Sequence, residues 1–169
     1  MGAWVRFEPL SILPMKKLFT ILGIIFAVIL AVIVIAAAIF IPRALKLDHE
    51  AVAYIQDAVP KIVANWNSQE LVDRATPDLM DAAKSRDELD RVFVMASKLG
   101  ALRQLDTPEG RIYSSAYTGT GVVTLGDYEA KAEFEKGTAT IQIQLRRVGD
   151  TWKINGFHIS SDVFLSPKT

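Results

Sequence analysis

The chain of 169 residues has no cysteine. This absence excludes disulfides, thiolate metal sites, a cysteine nucleophile and a lipidated amino-terminal cysteine, and it leaves the redox compartment open. Histidine is nearly missing as well: His49 and His158 are the only two, too few for a His-rich metal centre. No Asn-x-Ser/Thr sequon occurs. Basic excess is lacking too, since 19 Lys+Arg balance 19 Asp+Glu in the whole chain and 16 face 18 from Arg43 onward. A nucleic-acid binder concentrates positive charge on one face, so no nucleic-acid partner is expected. Nor is a cofactor, because no motif that would hold one is present.

The most informative absence is local. Residues 18–41 carry no charge over 24 positions, with Lys16 and Lys17 before them, Pro42 and Arg43 after them, and Thr20 as the lone polar side chain. As a helix this run would reach about 36 Å, against about 30 Å for a bilayer's hydrocarbon core. A helix also satisfies every backbone amide internally, as lipid demands. The sequence therefore predicts a short tail over 1–15, a transmembrane helix over 16–43 and one folded domain over 44–169. A cleaved signal peptide is the rival, supported by the small residues Ala36-Ala37-Ala38, but the apolar run exceeds the roughly 7–15 residues of a signal-peptide core. Met15-Lys16-Lys17 begins as bacterial signal anchors do, which makes Met15 a candidate start. Arg6, Lys16 and Lys17 precede the span, whereas Arg43 and Lys46 follow it with Asp48 and Glu50 close behind. This bias favours a cytoplasmic amino terminus in a bacterial inner membrane and a domain outside the cytoplasm. Gly23, Ala27 and Ala31, spaced by four, mark a stripe through which two spans would pack.

Beyond the span the apolar spacing becomes helical, at Val52, Ile55, Val59, Ile62, Val63 and Trp66, with Asp48 as the expected N-cap. Pro60 predicts a bend. Asn67-Ser68-Gln69-Glu70, Thr76-Pro77 and Ser85-Arg86-Asp87-Glu88 are three further helix starts. The last begins a helix with Leu89, Val92, Phe93, Ala96 and Leu99 on one face and Gly100 at its end.

Asp106-Thr107-Pro108-Glu109-Gly110 reads as a turn, after which the period changes to two. A strand is predicted over 111–118, with Tyr113 and Tyr117 on one side. A Gly119-Thr120-Gly121 bend follows, then a strand over 122–125 and a turn at Gly126-Asp127. Tyr128, Ala130, Ala132 and Phe134 alternate with charged residues, and after Lys136-Gly137 so do Ile141, Ile143 and Leu145 with Gln142, Gln144 and Arg146. Trp152 and Ile154 are out of phase with Phe157 and Ile159, so a bulge at Asn155-Gly156 is required to keep all four inward. The whole is an antiparallel meander with one buried face.

Helices followed by a curved antiparallel sheet of four to five strands, ending in Trp152-x-Ile154-x-Gly156-Phe157, resemble the cystatin-like superfamily that includes nuclear transport factor two and ketosteroid isomerase. The likeness covers residues 47–164 and extends to small single-pass bacterial envelope proteins with such a cone. It implies an α+β fold, helices over about 47–100 and sheet over about 101–164, but no particular reaction. Enzymes of that superfamily place acids, Tyr or His inside the cone, and the corresponding candidates here are Tyr113, Tyr117, Tyr128, Asp106 and His158. No nucleophile–base pair or carboxylate dyad is legible among them.

The expected function is thus a membrane-anchored, non-catalytic envelope protein whose domain mediates protein–protein interaction or assembly, including self-association through the sheet's open face. The alternative is a module holding an apolar ligand in the cone, lined by Trp66, Phe93, Tyr128, Phe134, Leu145 and Trp152. An isomerase-like or hydrolytic enzyme is a third reading.

Overall fold

The computed structural model describes residues 15–83, 85–117 and 121–164. Expectations about the amino-terminal tail and the Gly119-Thr120 bend lie outside them. The chain forms two compact units, Met1–Arg43 and Ala44–Thr169.

Helix α1 (Met15–Ala64) contributes to both. In the first unit its side chains from Phe19 to Ile41 are almost all exposed, Phe26 at 67% and Phe40 at 68% among them. A helix that is apolar on every side has no face to turn toward water. This segment is long and apolar enough to cross a membrane.

In the second unit α1 becomes amphipathic, burying Ala51, Ile55, Ala58, Val59, Ile62 and Val63. The helix continues through Pro42 and Pro60, so Asp48 lies within it and is no N-cap. The three later starts occur as predicted. Asn67 caps α2 (Ser68–Arg74) by accepting the Gln69 amide at 2.9 Å, Thr76 caps α3 (Pro77–Ala82) through the Leu79 amide at 3.2 Å, and Ser85 caps α4 (Arg86–Ala96) through the Glu88 amide at 3.2 Å. Each side-chain oxygen satisfies an amide that the first helical turn leaves free.

An open antiparallel sheet of five strands packs against these helices: β1 (Leu102–Leu105), β2 (Glu109–Tyr117), β3 (Gly121–Phe134), β4 (Gly137–Val148) and β5 (Thr151–Ser160). The order is β1-β3-β4-β5, and β2 also pairs with β3. β3 explains this arrangement. Its C-terminal end pairs with β1 (Leu105 opposite Ala132), and the rest of the same edge pairs with β2 (Glu109 opposite Glu129). Residues 106–108 are therefore a jog in one interrupted edge strand, with the Asp106 amide still donating to the Lys131 carbonyl at 2.9 Å, and no chain reversal occurs there. The predicted turn at Gly126-Asp127 is absent as well, because β3 runs straight through it. Gly126 and Gly110 are there for the Tyr128 ring: a Cβ on either would come within 2.9 Å of ring atoms, and on Gly110 within 2.2 Å of the Asp127 carbonyl oxygen.

The core joins the buried face of α1 to Tyr128, Ala132, Phe134, Ile141, Ile143, Leu145, Trp152 and Ile154. The predicted bulge is present. Gln144 faces Gly156 and Leu145 faces Ile154, leaving Asn155 as the extra residue. Phe157 and Ile159 consequently stay on the core side.

Candidate functional site

An apolar groove of about 250 Å³ lies between α4 and β5 in the second unit. Its walls are built by three local devices. The first is Trp66, which ends α1 in the left-handed region (φ 49°). A bulky residue there is strained, and the strain is offset where the indole N–H donates to the Gly100 carbonyl at 2.9 Å and the ring lies 5.5 Å from that of Phe134. The second is α4, held to α2 by a hydrogen bond from the Ser68 hydroxyl to the Asp90 carboxylate. Phe93 and Ala96 of this helix are buried, but Val92, on the face the sequence assigned inward, is 51% exposed, and Met95 is 45% exposed. The third is the bulged end of β5, which presents Phe157 and Ile159 to the groove, with exposed His158 at its rim.

Two of the six predicted lining residues, Trp66 and Phe93, meet in this groove. The other four do not join them. Tyr128, Phe134, Leu145 and Trp152 are at most 5% exposed and form the core itself. Gly23, Ala27 and Ala31 are all exposed on the first unit, where a Cβ at Gly23 would meet open space. Sequence reasoning missed β5's downstream half and Val92 as groove residues. The phase slip at Asn155 was the available signal for the former.

The remaining polar geometry ties helix to sheet. The Tyr128 hydroxyl donates to Asp48 at 2.6 Å. Desolvation, then this bond to a carboxylate, push the phenol's pKa well above its ordinary value. Burial likewise raises Tyr54, with the Arg74 charge opposing and Asp57 adding to the rise. Arg147 donates to Glu50 at 2.8 Å and stands 5.6 Å from the centre of the Trp152 ring. Its hydrogen bond holds the Glu50 carboxyl below the usual range, against a smaller opposing effect of burial. Among the described residues, the Tyr54 hydroxyl and the Trp152 indole N–H are buried without a hydrogen-bond partner.

The sheet's outer face is polar. A recess of about 430 Å³ there is lined by groups including Asp106, Lys131, Glu133 and Asp162. Among the described residues no cluster of three or more His, Asp or Glu is placed to hold a metal. Of the enzyme-type candidates, Asp106 and His158 are exposed and Tyr113 is 38% exposed, so they do not converge with Tyr128 in an interior cavity. The side chain of Tyr117 lies outside the description. No family model, curated protein or solved structure matches the chain.

Proposed function

We propose that this chain is a single-pass protein of the bacterial inner membrane. Residues 18–41 anchor it with the amino terminus in the cytoplasm, and the 44–169 unit, a cystatin-like domain outside the cytoplasm, recognises other envelope polypeptides without catalysing a reaction. The observation that carries the reading is the α4–β5 groove, where Val92 and Met95 stand about half exposed beside Phe157 and Ile159. An apolar groove on an otherwise charged surface is a docking feature.

Size favours a polypeptide over a small ligand. Small-molecule sites occupy about 300–1,000 Å³ and enclose most of the ligand, whereas this groove is smaller at about 250 Å³. Phe134, Leu145 and Trp152, expected to line a cavity, are packed in the core instead. A groove of that size accepts one or two apolar side chains of a partner. Catalysis finds no support here, since the walls are hydrocarbon with His158 as the lone titratable group.

A photo-crosslinking amino acid at Val92 in the full chain, in native membranes, tests the proposal. Discrete polypeptide adducts are expected from Val92 and none from Lys131 on the outer face. Adducts to lipid alone, or equal yields at both positions, would remove the docking role, and release of the chain by alkaline carbonate would remove the anchor.

A further inference from the structure

The free edge of β5 has two halves. Upstream of the bulge, the Ile154 carbonyl accepts the Thr76 amide at 2.8 Å and Lys153 reaches the Asp73 carbonyl at 3.3 Å, so the α2–α3 connection covers this half. Downstream, residues 156–160 lie on the outermost strand, and among the described residues none of their backbone groups bonds outside the sheet.

Exposed edges are templates for another strand unless charge, proline or a bulge blunts them. The opposite edge of the sheet is blunted in this way, by Pro108 at the jog and by Glu109 and Arg111 beside it. The downstream half of β5 reads Gly-Phe-His-Ile-Ser and carries neither charge of fixed sign nor proline. It begins immediately after the bulge, so the device that could have protected it lies upstream.

Resting on the docking role assigned to the groove, we infer that residues 156–160 pair with the same residues of a second copy of this chain, antiparallel and centred on His158. The window fixes the register. It is bounded by the bulge on one side and by the turn at Asp162–Phe164 on the other, and a two-fold pairing of five residues must pivot on the middle one. Phe157 of each copy then faces Ile159 of the other, an aromatic–aliphatic cross-strand pair made twice. The same operator covers a second exposed feature. Because α4 flanks the groove beside β5, a self-complementary contact brings Val92 and Met95 of both copies to one seam. One symmetric contact thus covers both the open edge and the exposed flank of α4.

The cysteine-free chain makes the test direct. Across a two-fold strand pair the pivot residues stand about 4.5–5.5 Å apart at Cα, within reach of a disulfide. Mild oxidation of full-length His158→Cys in its membrane is expected to give a covalent dimer in most of the population. Lys153→Cys, whose copies would be about 30 Å apart, is expected to give none, and Ser160→Cys very little. His158→Glu, at an exposed position, should keep the melting profile and shift the detergent-extracted chain from dimer to monomer mass. No disulfide at 158, or equal crosslinking at 153, 158 and 160, overturns the pairing. Adducts from Val92 to a different protein, with 158 unlinked, overturn the pairing while the docking role stands; no product at either position removes both.

Discussion

At the scale of single residues, the Tyr128–Asp48 contact is the most consequential polar link in the folded unit, because it fastens the sheet to α1 through a phenol that is 3% exposed. The phenol's pKa is raised in the fold, so the unfolded chain releases its proton first. The contribution is therefore complete below about pH 10, the ordinary tyrosine value, and is lost progressively as pH rises further. Tyr128→Phe is expected to cost about 1–2 kcal/mol at neutral pH, mainly through the carboxylate left without its donor. It should also flatten the alkaline fall in stability. Denaturation of both forms between neutral and strongly alkaline pH checks this, and parallel alkaline slopes would contradict the assignment.

At the scale of elements, one threonine makes three hydrogen bonds that join α3 to β5. Thr76, 1% exposed, caps α3 through the Leu79 amide, donates its hydroxyl hydrogen to the Asn155 side chain at 3.0 Å, and gives its own amide to Ile154. Thr76→Val keeps the volume but strands the cap amide and the bulge residue together. A loss of about 2 kcal/mol in thermal or chemical denaturation is expected. Asn155→Ala should cost less, because Thr76 keeps its bond to the Leu79 amide and water enters the partly exposed space that Asn155 vacates.

The elements also show what was legible beforehand. Helix starts were readable because a cap is a local event: the oxygen of Asn67, Thr76 or Ser85 satisfies an amide within three residues. The bulge was readable because a slip of phase is visible in one strand alone. The jog at 106–108 and the uninterrupted β3 were not, since Pro108 and Gly126 carry the same local signals in a turn as in a strand. Only the pairing of β3 with both β1 and β2, and the room the Tyr128 ring requires, distinguish the two cases. The groove was half legible for a related reason. Periodicity identifies an apolar face, but it does not tell which of Val92 and Phe93 will be covered by a neighbour.

At the scale of the molecule, every residue of the core cluster belongs to the second unit, from Leu47 to Phe164. A domain with its own core folds alone. The fragment 44–169 is therefore expected to be soluble at neutral pH and to unfold in one cooperative transition, seen as coincident changes in far-ultraviolet dichroism and tryptophan fluorescence. Non-coincident curves would mean that the division at Arg43 is not a thermodynamic one.

The extra residue in β5 carries an implication for how this chain can vary over time. Strand side chains alternate strictly, and with Asn155 taken out the pairs Gln144–Gly156 and Leu145–Ile154 become consecutive rungs of an unbroken ladder. Loss of that residue would keep Trp152, Ile154, Phe157 and Ile159 all on the oily side, whereas loss of Lys153 or His158 would turn one member of an inward pair to water. Lineages descending from this sequence can shed the residue at 155 far more freely than they can shed its neighbours at 153 or 158.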